Sequence, residues 1–164
     1  MSHFMESPMK VLIAIDGSPC SAAAVAEAAK RPWPAGSEFR VILVEPPLDA
    51  KLVASATPGA FDQLVKLQQG EALQHLQSAV AVLAQVGVQG TISSALLQGL
   101  PKDTIVAAAE EWGADLIILG SHGYGPLRRF FLGSVSSYVA NNAPCSVEIV
   151  RPRQADAAIS ATPA

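Results

Sequence analysis

The stretch that decides the fold reads LIILGSHG from Leu116 to Gly123 and, after nine further residues, GSVS from Gly133 to Ser136. Its first four residues form a short apolar run, which is typical of a strand buried on both faces. The glycine-rich part then leads into a predicted helix over 134–142. A buried strand that passes through a loop into a helix indicates a parallel α/β arrangement.

Strand and helix patterns alternate along the rest of the chain in the same way. Because consecutive parallel strands need a crossover that returns to the same end of the sheet, this alternation predicts an α/β fold with helices on both faces. The predicted strands are 11–15, 40–44, 88–97, 116–119 and 146–150, and the predicted helices are 19–30, 61–86, 102–112 and 134–142.

Two neighbouring segments in the middle of the chain give different predictions. Residues 48–60 mix Ala, Ser, Thr, Pro and Gly, which predicts a mobile loop. In the helix that follows, apolar residues recur at three- and four-residue steps, which predicts an amphipathic helix ended by Gly87. These apolar residues are Leu64, Leu67, Leu73, Leu76, Val80 and Leu83.

Length and composition limit the class of protein. The 164 residues suit one domain, and a content of 50% hydrophobic and 15% charged residues excludes a disordered chain. A net charge of -3 without a basic run argues against nucleic acid or anionic lipid as a partner. We expect no membrane-spanning segment, no secretory signal and a location in the cytoplasm. The expected boundaries are a flexible tail 1–8, one domain 9–152 and a disordered tail 153–164.

The two cysteines, Cys20 and Cys145, lie far apart in the chain and show no metal-ligand spacing. A chain of this length does not need a disulfide to fold. We therefore predict that both are reduced and structural rather than bridged or bound to a metal.

Candidate ligand-binding residues follow the predicted strands, because ligands of open parallel sheets bind outside the carboxyl ends of the strands. These positions are Asp16, Glu45 and the loop that begins at Gly120. The glycines of this loop are expected to approach a ligand and to take positive φ. Free N–H groups at 133–136 would favour a phosphate at the start of the helix. From spacing alone, a plain connection with Ser134 as N-cap is an equally good interpretation.

Other phosphate motifs are absent from the sequence. There is no GxxxxGK[ST] pattern, and the first predicted strand is followed by Asp16-Gly17-Ser18-Pro19 rather than GxGxxG, which disfavours a dinucleotide dehydrogenase.

Several polar residues near this edge keep two interpretations each. Asp16 is either a ligand-binding acid or a helix cap, and Glu45 is predicted to be a loop residue beside Pro46. His122 is predicted to be an exposed loop side chain rather than a phosphate contact. Arg128 and Arg129 either cover a phosphate or are solvated, and residues 130–132 are expected to anchor the loop to the core.

The chain resembles the universal stress protein family. The resemblance rests on the G-x2-G-x9-G-[ST] pattern that begins at Gly120, on the IAIDGS stretch at 13–18 and on the APCSV stretch at 143–147. It extends from about Met9 to Pro152. In the family, this glycine pattern marks the members that bind ATP.

The resemblance implies a five-stranded parallel sheet of order 3-2-1-4-5, a homodimer, and ATP at the carboxyl edge. Ile15 and Asp16 would face the adenosine, the backbone of Val44 the adenine, and Gly120 the ribose. Ser121 and His122 belong to the same loop and complete the candidate set. The phosphates would be surrounded by Gly123, Gly133, Ser134, Val135 and Ser136.

The metal and the partner subunit are further implications of the resemblance. Mg²⁺ would accompany the triphosphate, held mainly by phosphate oxygens and water. The dimer would form through the strand Ser146–Val150, where Glu148 stands on an edge and would oppose pairing with its own copy.

The predicted function is that of an ATP-binding stress-response regulator, a dimeric switch with little or no turnover. Phosphoryl transfer needs a positioned base and cationic charge at the γ-phosphate, and the sequence offers no clear base. A slow ATP hydrolase or phosphotransferase, and a dimeric interaction module with an incidental nucleotide site, are the alternatives.

Overall fold

The computed structural model describes residues 7–55, 57–87, 90–122 and 132–152. The predicted disordered tail 153–164 and most of the predicted tail 1–8 lie outside the described residues. The same holds for Gly123, Arg128, Arg129, Phe130 and Phe131.

Five parallel strands form one sheet of order β3-β2-β1-β4-β5, which confirms the predicted fold. The strands are β1 Lys10–Ile15, β2 Ser37–Glu45, β3 Gly90–Gln98, β4 Leu116–Gly120 and β5 Ser146–Val150. The helices are α1 Pro19–Lys30, α2 Ala50–Ser55, α3 Pro58–Gln85, α4 Pro101–Trp112 and α5 Ser134–Asn142.

The central strand β1 divides two cores. Ile13 pairs with Val41 of β2 and with Ile118 of β4, and its side chain packs with α1 and α3. Its neighbour Leu12 packs on the opposite face with α4 and α5. Because successive side chains of a strand alternate between faces, an almost wholly apolar β1 serves both cores at once.

The turn between β1 and α1 is fixed by capping. Ser18 is the N-cap of α1, and its hydroxyl oxygen accepts a hydrogen bond of 3.2 Å from the amide of Ser21. Pro19 follows as the first helical residue, as predicted. The fully buried Ala24 and Ala28 let α1 lie close against the sheet.

The prediction of a mobile loop over 48–60 is wrong. The short helix α2 occupies Ala50–Ser55, and α3 begins at Pro58, three residues before the predicted start. Thr57 is the N-cap of α3, and a proline at the first helical position has its φ already set for a helix. The mixed composition of this segment concealed both helix starts.

The long helix α3 is amphipathic over only part of its length. Leu76 and Leu83 are buried, whereas Leu64, Leu67 and Leu73 are 38%, 65% and 48% exposed. Its 28 residues span about 42 Å at 1.5 Å per residue. The nine residues of β2 span about 30 Å. The helix is therefore longer than this strand, and the leucines in its first half are exposed.

Glu45 is not a loop residue, so this prediction is also wrong. It is the last residue of β2, pairs with Gln98 of β3 and is 4% exposed. The Gln98 amide nitrogen Nε2 donates a 2.5 Å hydrogen bond to Glu45 Oε2. Because Glu45 pairs with Gln98 of β3, β2 extends to the residue just before Pro46. The sequence alone did not indicate this pairing.

Cys20 and Cys145 are both free thiols, as predicted. Burial, and then the charge of Asp115, raises the pKa of the Cys145 thiol. Within the described parts of the chain, none of the helices is long and apolar enough to cross a membrane.

Candidate functional site

A cavity of about 370 Å³ opens at the carboxyl ends of β1, β2 and β4, beside the first turns of α4 and α5. Its volume lies in the range of small-molecule sites. The lining residues come from all five of these elements, from the first turn of α1 and from the turns next to them. They are Ala14, Ile15, Asp16, Ser21, Ile42, Val44, Pro101, Ile105, Leu119, Gly120, His122, Gly133, Ser134, Val135 and Ser136.

The lining divides into an apolar side and a polar side. The sheet and α4 contribute the apolar side, with Ile42, Val44 and Ile105 all nearly buried. The polar side consists of the carboxylate of Asp16, the Ser21 hydroxyl of α1, the His122 ring after β4, and the start of α5 with its amides. Such a division suits a ligand that has an apolar ring at one end and an anionic group at the other.

The start of α5 presents backbone donors to the cavity. Ser134, Val135 and Ser136 are its first three helical residues, so their N–H groups have no acceptor within the helix. The aligned peptide dipoles also make this end partly positive. The N-cap is Gly133, not Ser134, and the Gly133 amide donates a 2.8 Å hydrogen bond to the Ser121 carbonyl. The predicted set of four free amides is therefore reduced to three.

Ser121 lies behind the cavity and does not line it. It is 1% exposed, and its amide donates to the Val150 carbonyl at 2.9 Å. Its carbonyl accepts from the Gly133 amide and, at 2.9 Å, from the Ser136 hydroxyl, which also lies 3.0 Å from the Gly133 carbonyl. Ser121 thus holds the ends of β4 and β5 and the start of α5 together, and the Ser136 hydroxyl donates inside this network.

The two described glycines of the loop, Gly120 and Gly133, are needed for close packing rather than for positive φ. Neither Gly120 nor Gly133 has a positive φ, so that expectation is wrong for these two residues. A Cβ on Gly120 would lie 2.7 Å from the carbonyl carbon of Cys20, and one on Gly133 would lie 3.1 Å from the Ser121 oxygen. The absence of side chains lets the first turn of α1 and the start of α5 approach the end of β4.

His122 is half-buried and lines the cavity, so the prediction of an exposed loop side chain is wrong. Its ring nitrogen Nδ1 lies 3.1 Å from the Ser121 hydroxyl. Its other ring nitrogen, Nε2, is buried and has no hydrogen-bond partner in the described structure. The Ser18 hydroxyl, 3.4 Å from the His122 carbonyl, ties the loop to the start of α1.

Asp16 is exposed and lines the cavity. Its Oδ1 accepts a 2.9 Å hydrogen bond from the Ser18 amide and so shapes the turn before α1. The N-cap of α1 is Ser18, so the alternative interpretation of Asp16 as the helix cap is wrong. Only one carboxylate oxygen takes part in this turn.

The structure brings most of the predicted site residues to one cavity. Ile15, Asp16, Val44, Gly120, His122 and residues 133–136 all line it, although the Ile15 side chain packs in the core beside α1 and α3. Ser121 lies behind it, and Gly123 lies outside the described residues. The described residues include no group of three or more His, Cys, Asp or Glu side chains that could hold a metal ion.

Sequence reasoning missed part of the apolar lining. Ile42 lies two residues before Val44, and such residues share a face of a strand, which was a usable signal. Pro101 and Ile105 follow the end of β3, whose pattern was too weak to draw attention to that position. The other missed residues are Ala14, Ser21 and Leu119.

Solved structures of the same fold include that of the hypothetical protein MJ0577. It is 25% identical, has a TM-score of 0.75, and the match covers 89% of this chain and 97% of that one. A universal stress protein in complex with cAMP is 24% identical, with a TM-score of 0.65 and coverage of 90% and 100%. A family protein from Arabidopsis thaliana with AMP bound is 17% identical, with a TM-score of 0.67 and coverage of 91% and 95%. At these identities, the last two show a shared fold.

Sequence comparison gives the family. Universal stress protein YxiE of Bacillus subtilis is 33% identical over 149 residues, which cover 87% of this chain and 98% of the relative. Universal stress protein MJ0531 of Methanocaldococcus jannaschii is 32% identical over 149 residues, which cover 87% and 81%. The model of the universal stress protein family matches residues 8–151. The chain therefore belongs to the universal stress protein family.

Proposed function

We propose that this protein binds ATP in the carboxyl-edge cavity and acts as a stress-response regulator with little or no turnover. The observation that carries the proposal is the meeting, in one cavity, of apolar walls with the free amides of the first turn of α5. Structural relatives crystallised with cAMP and with AMP support an adenine nucleotide as the ligand class.

The adenosine end is assigned to the apolar side. Ile42, Val44 and Ile105 offer flat apolar surface for a base, and the backbone at the end of β2 would meet the edge of the adenine. Ile15 and Asp16 would face the adenosine, with Gly120 near the ribose. A carboxylate oxygen is a suitable acceptor for a ribose hydroxyl, which supports this orientation.

The phosphate end is assigned to the start of α5. Backbone N–H groups and the positive helix end attract anions, and three such groups at residues 134–136 open on the cavity. Gly123 is proposed to belong to the same cradle. Mg²⁺ would be held by phosphate oxygens and water, with Asp16 as the one carboxylate among the described lining residues.

Low turnover follows from the chemistry of the lining. Asp16 and His122 are the ionisable groups among the described lining residues, and neither is accompanied there by a cationic side chain. Phosphoryl transfer depends on an oriented nucleophile and on positive charge at the γ-phosphate. Phosphate release near the median enzyme rate of about 10 s⁻¹ would contradict this proposal and favour the hydrolase alternative.

Calorimetric titration with ATP tests the binding proposal. Ser134→Ala removes one hydroxyl and keeps the amides, so it should weaken binding by about 1 kcal/mol, a few-fold in affinity. Gly133→Val places branched atoms where even a Cβ would lie 3.1 Å from the Ser121 oxygen, so it should displace the cradle and abolish detectable binding. Circular dichroism should still show a folded protein. ATP binding by Gly133→Val at the affinity of the parent would refute the phosphate cradle.

We further propose that two copies pair through the edge strand β5. Glu148 of β5 is held by Arg31, whose Nη2 lies 2.5 Å from Oε1, so the carboxylate is neutralised within its own chain. Because the charge of Glu148 is balanced by Arg31, it opposes the pairing of two β5 strands less than the sequence alone suggested. Light scattering at tens of micromolar protein should exceed the monomer mass of 17.0 kDa. A dimer that fails to bind ATP would favour the alternative of a dimeric interaction module. The location in the cytoplasm stays a prediction.

A further inference from the structure

We propose that the ammonium group of Lys102 binds the outer phosphates of the nucleotide, so that the site favours ATP over nucleotides with a single phosphate. The inference rests on the proposed ATP site and deepens it, because it names the feature of the ligand that the site selects. Lys102 supplies positive charge but neither a nucleophile nor a base, so little or no turnover is still expected.

Lys102 lies at the rim of the cavity. It belongs to the first turn of α4 and stands between Pro101 and Ile105, which both line the cavity. It is exposed. A lysine side chain is long and flexible and keeps its charged end in water, so a lysine at this position can extend over the opening.

The ammonium group of Lys102 lies against α5, the helix whose free amides open on the cavity. Its Nζ is 5.0 Å from the centroid of the Tyr138 ring. Tyr138 follows Ser134 by four residues in α5, so the two share a face of the helix and are about 6 Å apart along its axis. Because the side chains of a helix lean toward its N-terminus, the ring and the ammonium group lie on the side of the free amides.

Lys102 is available to a ligand because the neighbouring carboxylate is engaged elsewhere. The ion pairs found among the described residues do not include Lys102. The carboxylate of Asp103 accepts a hydrogen bond from the Tyr138 hydroxyl, and this bond raises the pKa of Tyr138. The contact of an exposed ammonium group with an aromatic ring is weaker than its charge-assisted hydrogen bonds to phosphate. The Tyr138 ring therefore holds Lys102 near the start of α5 without competing strongly with a phosphate.

The preference for several phosphates follows from the order of the groups in the ligand. With the adenosine on the apolar side, the phosphate next to the ribose is the most enclosed, and further phosphates extend toward the opening. The single phosphate of AMP stays beside the helix amides at 134–136. A cation at the rim meets the added phosphates of ATP, so Lys102 contributes to the binding of ATP and not of AMP.

Calorimetric titration with ATP and with AMP tests the inference. Lys102→Met removes the charge and keeps most of the length of the side chain. It should weaken ATP binding about tenfold and change the affinity for AMP by less than about twofold. Lys102→Arg keeps the charge and should keep most of the preference for ATP. Lys66→Met, which removes an exposed lysine of α3, is the matched control and should bind both nucleotides as the parent does.

Three results would overturn the inference and leave the ATP site standing. The first is binding of ATP by Lys102→Met at the parent affinity, and the second is an equal loss of ATP and AMP binding in this variant. The third is an equal loss of ATP binding in Lys66→Met, which would show an effect of net charge alone. Absence of ATP binding by the parent would overturn the proposed function and this inference together.

Discussion

Gly120→Ala should destabilise the protein, although alanine is the mildest replacement for glycine. The new Cβ would lie 2.7 Å from the carbonyl carbon, 2.8 Å from the Cβ and 2.9 Å from the carbonyl oxygen of Cys20. Ordinary contacts begin at 3.4 Å, so the first turn of α1 and the end of β4 must separate by about 0.7 Å, the difference between 3.4 and 2.7 Å. Overpacking of this kind costs about 1–3 kcal/mol.

Gly70→Ala is the matched control, because it makes the same chemical change within α3. Nothing lies within 4 Å of a Cβ at that position, and the residue is inside a helix. Alanine there should stabilise the protein by about 0.5–1 kcal/mol. The two substitutions should therefore change the free energy of unfolding in opposite directions.

Urea unfolding followed by circular dichroism measures both variants against the parent. The expected pattern is a lower midpoint for Gly120→Ala and a higher one for Gly70→Ala, with similar slopes. If Gly120→Ala unfolds at the parent midpoint, then α1 does not press on the end of β4 as the structure shows, and the packing argument for this glycine is wrong.

Three side-chain predictions can be checked in solution. Because burial raises its pKa, Cys145 should be alkylated more slowly than a small free thiol at neutral pH, and the rate should rise as the pH passes the ordinary range for cysteine; equal rates at neutral pH would contradict this. The hydrogen bond to Asp103, and then its charge, raises the pKa of Tyr138, so Asp103→Asn should shift phenol ionisation to lower pH in an ultraviolet titration, and no shift would refute the pairing. Arg31→Ala should lower the free energy of unfolding by at most about 1 kcal/mol, since the ion pair with Glu148 is partly exposed. It should also lower the dimer fraction in light scattering, because it leaves the Glu148 carboxylate unpaired at the strand edge. An unchanged dimer fraction would show that the ion pair does not contribute to dimer formation.

Local signals were enough to predict most of the fold. Ser18 with Pro19 marked the start of α1, and the apolar run at 116–119 marked the buried strand β4, because capping and strand burial are encoded in short stretches. Thr57 followed by Pro58 at the start of α3 is the same combination of an N-cap residue and a proline at the first helical position. It was overlooked because its neighbours resemble a loop in composition.

Contacts between distant segments account for what the sequence did not predict. Glu45 is a strand residue because β3 pairs with it, and the exposure of Leu64 and Leu67 depends on which other elements pack against the first half of α3. The roles of Gly120 and His122 likewise depend on Cys20 and Ser121 reaching them in space. Periodicity reports which face of an element is apolar, but not whether another element covers it.

The backbone carbonyl of Ser121 makes the connection between β4 and α5 tolerant of changes in its length. By accepting the Gly133 amide at 2.8 Å, it closes the chain into a ring whose two ends belong to the rigid sheet and helix. Lengthening such a closed segment costs little, about 0.6 kcal/mol for each doubling of its length. The positions of the free amides of α5 are therefore fixed by the closure between residues 121 and 133, and they should stay in place as long as the hydrogen bond between Ser121 and Gly133 is kept.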